Sequence, residues 1–234
     1  MRRIGLMQRN RLLTSLRRKD RQRLLSSCEQ VEITFGDVLW EPKQRIRHVY
    51  FPLDGFVSKL VPVNARENLE LALVGNEGML GVPLVLGLTS SSYQALVQGS
   101  GSALRMSAAS FRRYLELIPA LRQQLNRYVY VLQAQLAQSA ACNNFHTLDK
   151  RLARWLLMTH DRAHFGKFHL THKFLAQMLG VRRVGVTNAA GVLQKLKLVS
   201  YTRGDITVLD RASLEKASCS CYESSQDTYK SILG

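Results

Sequence analysis

The chain has 234 residues, enough for two modest domains with separate cores, and 46% of them are apolar, which excludes a disordered polymer. A formal net charge of +16 excludes a neutral surface and directs attention to nucleic acid or an anionic membrane, with a merely basic soluble protein as the plain alternative. No apolar run approaches the ~18 residues that cross a bilayer; the longest candidate, Met79 to Leu88, is broken by Gly and Pro. Arg9, Arg11, Arg17 and Arg18 interrupt every apolar run near the N-terminus. That segment therefore lacks the apolar centre of a secretion signal, and a cytoplasmic protein is expected.

Residues 10–27 place Leu12, Leu13, Leu16, Leu24 and Leu25 on a helical stripe with basic residues elsewhere, which predicts a short helical lid. A second DNA contact through Arg2, Arg3, Arg9 and Arg11 competes with a solvated basic face. From Val31 to Met106 the texture changes to short strands. Val31-x-Ile33-x-Phe35 and Leu69-x-Leu71-x-Leu73 alternate, and turn signals fall at Gly36-Asp37, Leu53-Asp54-Gly55, Gly75-Asn76 and Gly99-Ser100-Gly101. Such spacing predicts an antiparallel sandwich or roll. His48 in this region reads as a satisfied edge residue and not as a metal or haem ligand.

Helical spacing returns at 110–142, with Ser110 as a cap for a short first piece and Pro119 at the opening turn of a longer one. Leu121, Leu125, Tyr128, Leu132, Gln135 and Ser139 step alternately by four and three, the spacing of a coiled-coil seam. A helix that bridges two domains would leave this stripe wet in a monomer, so it is expected to form a dimer interface. Leu148 to Met158 predicts a further amphipathic helix, with Leu152, Trp155 and Leu156 packing beneath the carboxy-terminal helices.

Residues 171–197 read as two helices meeting at a sharp turn. Thr171 is an N-cap, Phe174, Leu175, Met178 and Leu179 make one apolar stripe, and Gly180 stops the helix by entering a left-handed conformation. Ala176 is small enough for a close crossing. Val186, Ala189, Ala190 and Leu193 then form the buried stripe of a second helix whose other face carries Arg182, Arg183, Thr187 and Asn188. This is a helix-turn-helix pattern. Leu198 to Leu209 alternates around Arg203-Gly204-Asp205 and predicts a β-hairpin, making the whole a winged helix. No Asp or Glu lies between Asp161 and Asp205, so this stretch presents one sign of charge, which suits a polyanion.

The four cysteines, Cys28, Cys142, Cys219 and Cys221, are too scattered for a disulfide framework. Cys219-x-Cys221 lacks an evident Cys or His pair to complete a metal site, so no metal and no cofactor are expected. No phosphate-cradling Gly loop followed by Lys and no recognisable carboxylate pair is present either, and an enzyme is not expected.

A strand-rich domain, a seam helix and a winged helix, in that order, resemble the Crp/Fnr family of bacterial transcription regulators. The resemblance runs from Asn10 to about Leu214 and is most specific in Ile46 to Ser58 and Leu175 to Arg211. It implies an α+β chain: an antiparallel, jelly-roll-like β-roll sensor with the dimerisation helix (1–145), a DNA-binding winged helix-turn-helix (146–214), and a tail (215–234). It also implies a homodimer that places two recognition helices in successive major grooves of a palindromic site, roughly 34 Å apart. The implied partners are double-stranded DNA and a second copy of the chain, with RNA polymerase and an unknown small-molecule effector as further candidates, and no membrane.

By position Arg183 looks like the family's base-reading arginine, suited to guanine. Val184 stands where Glu is usual, and Asn188 where Arg is common; these departures put the usual operator in doubt. Arg182, His172, Lys173 and Arg203 are the phosphate candidates. In cyclic-nucleotide members a Gly-Glu pair and an Arg-Ser or Arg-Thr pair hold the ligand. Here the corresponding stretches are Gly81-Val82-Pro83 and Ser91-Ser92-Tyr93-Gln94, without arginine between Arg66 and Arg105, so cyclic AMP control is not expected. The rival reading from another class is a small-molecule sensor whose winged helix docks a protein partner.

Overall fold

The computed structural model describes residues 10–64, 67–163, 167–202 and 204–234. These divide into two compact units. The first runs to Lys59 and takes in Leu73–Leu132 and Ile232–Gly234; the second holds Leu60–Ala72 and Gln133–Ser231. Arg2, Arg3, Arg9 and Arg203, singled out from the sequence, lie outside the described residues.

The first unit opens with two short helices, α1 (Arg11–Thr14) and α2 (Arg18–Leu25). The five leucines of the expected lid are buried. Asn10 caps α1 by accepting from Leu13 N, and its amide donates to the carbonyls of Pro52 and Gly78 at 3.0 and 2.9 Å. A fully buried Asn is tolerated because those three bonds satisfy most of its polar capacity.

Seven strands come next: β1 (Glu29–Ile33), β2 (Val38–Trp40), β3 (His48–Pro52), β4 (Phe56–Pro62), β5 (Asn68–Val74), β6 (Gln94–Gly99) and β7 (Gly101–Ser107). They form one sheet in the order β1-β7-β3 and another in the order β2-β6-β4-β5. β7 is antiparallel to both its neighbours, and Arg105 stands opposite Glu29 on one side and Tyr50 on the other. Gly55 adopts φ +74° where the backbone of Gly99 and Ser100 leaves no room for a side chain, so the turn before β4 needs glycine for two reasons. β4 does not alternate. From Phe56 to Leu60 every residue is buried, as in a central strand covered on both faces.

Two helices close the strand-rich region: α3 (Ala108–Leu117) and α4 (Pro119–Phe145). The cap of α3 is Ser107, which accepts from Ser110 N at 3.1 Å; the expected cap Ser110 lies inside the first turn. α4 begins at Pro119, as the missing N–H of proline favours.

The seam assignment is corrected. Leu121, Leu125, Tyr128 and Leu132 do not face outward: they are between 0% and 6% exposed and belong to the same core as Phe51, Met79 and Phe111. The Tyr128 ring lies so close to Gly78 that any β-carbon there would collide with it. Gln135 is half-buried, and Ser139 accepts a hydrogen bond from Arg154 at 3.1 Å within the second unit. Heptad spacing identifies a buried face without saying what buries it, and here the chain's own strands do. The large exposed apolar side chains of α4 are Tyr130 (58%), Leu136 (40%) and Phe145 (83%). Leu125→Ala should therefore lower unfolding free energy by about 2–5 kcal/mol in urea titrations. Tyr130→Ala, with little to lose within its own chain, should change the unfolding free energy of the monomer, measured at high dilution, by less than about 1 kcal/mol.

Candidate nucleic-acid interface

The second unit is built on α5 (Leu148–Ala163), whose Leu152, Trp155, Leu156 and Leu157 are buried. A three-stranded sheet in the order β8-β10-β9 combines the expected hairpin, β9 (Val199–Thr202) and β10 (Asp205–Val208), with β8 (Lys167–His169). β8 was not legible as a strand, because three residues show no usable alternation.

Between β8 and β9 lie α6 (His172–Leu179) and α7 (Arg183–Lys195). Thr171 caps α6 by accepting from Phe174 N at 3.2 Å, and Gly180 takes φ +63°, ψ +42° at its end. Arg151 reinforces that end by donating to the Leu179 carbonyl at 2.6 Å, a cation where the last carbonyls lack partners. Leu175, Ala176, Met178 and Leu179 are buried on α6, and Val186, Ala189, Ala190 and Leu193 on α7. Four buried positions on one side of α7 turn the opposite side outward.

That outward side is the candidate site. Arg182, Arg183, Val184, Thr187 and Asn188 are all exposed, and Val184 stands out at 64%. Arg182 and Arg183 occupy the N-cap and the first position of α7. Among the described residues of α6, α7 and the turn between them there is no acidic side chain, so Lys173, Arg182, Arg183 and Lys195 set a field of one sign.

The members of the site are not equally free. The Thr187 hydroxyl donates to the Arg183 carbonyl at 3.1 Å and lies 3.0 Å from His172 Nδ1. His172, a phosphate candidate from the sequence, is half-buried: it stacks on Tyr201 with centroids 4.3 Å apart, and its Nε2 is buried. Tyr201 in turn donates to the Leu170 carbonyl at 2.9 Å. His172 thus acts as a strut between α7 and the first strand of the wing. Burial, aided by the charge of Arg183, holds its pKa below the usual imidazole value, so the ring is neutral near pH 7. Lys173 is exposed, as a phosphate contact requires.

The expected tail is helical. α8 (Arg211–Ala217) is capped by Asp210, and α9 (Cys221–Leu233) comes after it. Arg211 pairs with Asp161 at 2.8 Å and with Glu215 at 3.1 Å, while the Tyr222 hydroxyl donates to Asp161 at 2.8 Å, tying both helices to α5.

In the first unit, the stretches that the sequence resemblance compares with a nucleotide site are internally engaged. Val82–Leu84 forms a 3-10 turn after Gly81 at φ +103°. The Ser91 hydroxyl accepts from Tyr93 N at 3.2 Å, and the Gln94 amide donates to the Glu41 carboxylate at 2.9 Å. Lys59, which no sequence pattern singles out, is buried with its ammonium 4.8 Å from the Tyr93 ring centre. Burial lowers its pKa to about 8.

Residues 150–217 match the family of the Crp-like helix-turn-helix domain. The carboxy-terminal unit contains a Crp-like helix-turn-helix. No curated protein sequence matches the chain. Solved structures share the fold at low identity. FixK2 from Bradyrhizobium japonicum is 14% identical, with 82% of this chain and 98% of that one covered at a TM-score of 0.69. A putative Crp/Fnr-family transcriptional regulator from Eubacterium rectale is 16% identical, with 88% and 96% covered at a TM-score of 0.69. The c-di-GMP-responsive global regulator CLP of Xanthomonas campestris is 13% identical, with 81% and 98% covered at a TM-score of 0.66. The chain has the fold of a Crp/Fnr-type transcription regulator with a helix-turn-helix DNA-binding domain. Among the described residues no helix is long and apolar enough to cross a membrane.

The His172 strut has a pH signature. Its folded pKa lies below its unfolded one, so the unfolded chain binds the proton first and stability falls as pH drops below about 6.5. Thermal melts of the parent between pH 7.5 and 5.5 should show a larger loss than those of His172→Phe, which keeps the stacking face but cannot be protonated.

Proposed function

We propose that this protein is a sequence-specific DNA-binding transcription regulator that acts as a homodimer on an inverted-repeat operator and is not controlled by cyclic AMP. The observation that carries the reading is the outward face of α7, where two arginines, a bare valine and an amide surround the start of a helix held by a buried stripe. Arg183 can donate in a fork to the O6 and N7 of guanine, Asn188 can pair with adenine, and Val184 offers an apolar contact to a thymine methyl. Arg182, Lys173 and Arg203 would contact phosphates and set the register. Thr187, held by His172 and the Arg183 carbonyl, would fix the helix against the wing in preference to reading a base.

Dimerisation would use the face of α4 that its own chain leaves open, centred on Tyr130, Ala137 and Ala141. The small residues permit close approach of two helices, and Tyr130 supplies an aromatic anchor. Control by cyclic AMP is disfavoured because Gln94 is committed to Glu41, a carboxylate that would repel a phosphate placed there. Any effector would act by shifting a two-state equilibrium in the spacing of the two readers.

Selection from a random duplex pool should enrich an inverted repeat. Affinity for it should fall by about 10³–10⁵ between 50 and 200 mM salt if six to ten phosphates are contacted. Arg183→Ala should cost roughly 1–3 kcal/mol on that sequence and relax the preference at one guanine per half-site. Binding insensitive to salt would instead favour a docking module for a protein partner. For assembly, Tyr130→Glu and Ala137→Glu should convert the dimer to monomer in sedimentation equilibrium while leaving the thermal melt of the β-roll in place; an undisturbed dimer would exclude this face.

A further inference from the structure

The local spacing of Cys219-x-Cys221 offers no partner pair, and the fold supplies one. Cys142 and His146 sit four residues apart at the C-terminal end of α4, on one side of the last turn, where the His146 N–H donates to the Cys142 carbonyl at 3.2 Å. Cys219 lies on the turn between α8 and α9, and Cys221 opens α9. All four residues belong to the second unit, and their ligand atoms all lie within 4.8 Å of one another. The three cysteines are buried and free.

We propose that Cys142, His146, Cys219 and Cys221 form a closed Cys3His site for a single tetrahedral zinc ion. Zinc bonds of about 2.3 Å to sulfur and 2.0–2.1 Å to nitrogen give tetrahedron edges of about 3.8 Å between sulfurs and about 3.6 Å between sulfur and nitrogen. Cys142 Sγ lies 3.5 Å from Cys219 Sγ, and Cys221 Sγ lies 3.5 Å from His146 Nδ1. Those edges match one ion. An iron–sulfur cluster would spread its ligands around several metal atoms, farther apart than this group stands. A disulfide between Cys142 and Cys219 would account for two of the four groups and leave Cys221 facing His146 without a reason.

The surroundings suit the charge of such a site. Three thiolates around a divalent cation carry one net negative charge, and the neighbouring arginines of α5, Arg151 and Arg154, have the sign that offsets it. Gln138 donates its amide to Cys221 Sγ at 2.9 Å, the outer bond that orients a ligating thiolate. With four protein ligands the coordination shell has no open position, which makes the site structural and not catalytic. The ion would clamp the α8–α9 turn to the end of α4, the helix proposed above to dimerise, although the site does not depend on that reading.

Tag-free full-length protein, purified under reducing conditions, tests this by elemental analysis followed by chelator stripping and titration with Co2+ alone. One zinc per chain as purified is expected. The stripped protein should give one equivalent of tetrahedral cobalt with intense visible d–d bands and sulfur-to-cobalt charge transfer. Cys219→Ala should lose both, Cys28→Ser should keep both, and His146→Cys should keep the tetrahedral spectrum with stronger charge transfer. If Cys219→Ala fails to fold, the parent's cobalt spectrum decides by itself. A weak octahedral spectrum, iron with acid-labile sulfide, a Cys142–Cys219 disulfide, or four protein groups with no affinity for either metal would each overturn the proposal.

Discussion

The burial of Val186, Ala189, Ala190 and Leu193 against α5 and α6 is the constraint on which the functional surface depends. A helix with one fixed apolar side has no choice about its other side. Because these four residues are anchored, the side chains of Arg183, Val184, Thr187 and Asn188 are presented to solvent. The anchoring depends on the preceding turn: Gly180 adopts a left-handed conformation that other residues reach only with strain, and Arg151 satisfies the carbonyl that the turn leaves open. A similar turn closes the other end of α7 with Lys197 at φ +56° in place of glycine, where Leu198 N returns to the Leu193 carbonyl at 3.0 Å. α6 and β9 are then joined by the stack of His172 on Tyr201, and His172 also meets Thr187 of α7, so the candidate site is one connected face and not a set of independent side chains.

Much of this was legible in the sequence because its signals are local. A cap is read within three residues, as with Thr171 and Phe174, and a buried helix stripe within eight, as from Val186 to Leu193. The order of strand-rich region, long helix and winged helix was legible for the same reason. What could not be read was the identity of the group on the far side of a contact. The stripe Leu121–Leu125–Tyr128–Leu132 has the spacing of a helix dimer, and its occupant is the chain's own strand-rich core, reached through Gly78. His172 carries an imidazole at a helix start, where a phosphate contact is reasonable, but its stacking partner Tyr201 lies far along the chain.

The same limit hid the thiol cluster. Cys142 and His146 have ordinary helical spacing, and Cys219-x-Cys221 is weak alone; only the return of α8 and α9 to the end of α4 brings the pairs together. Lys59 belongs to this class as well. Nothing in its neighbours announces a buried cation, and it is buried because β4 is covered on both faces. In the first unit Gln94 is held by Glu41, and the ammonium of Lys59 lies over the Tyr93 ring.

The DNA-reading function proposed for this chain requires that the exposed start of α7 enter the major groove. Methylation interference at guanine N7 on a selected operator measures this directly, because that atom lies on the major-groove edge. The expected result is interference at one guanine in each half-site, the two about one helical turn apart, with the signal at those guanines lost in Arg183→Ala. Interference confined to the minor groove, or an unchanged guanine pattern in that variant, would contradict it.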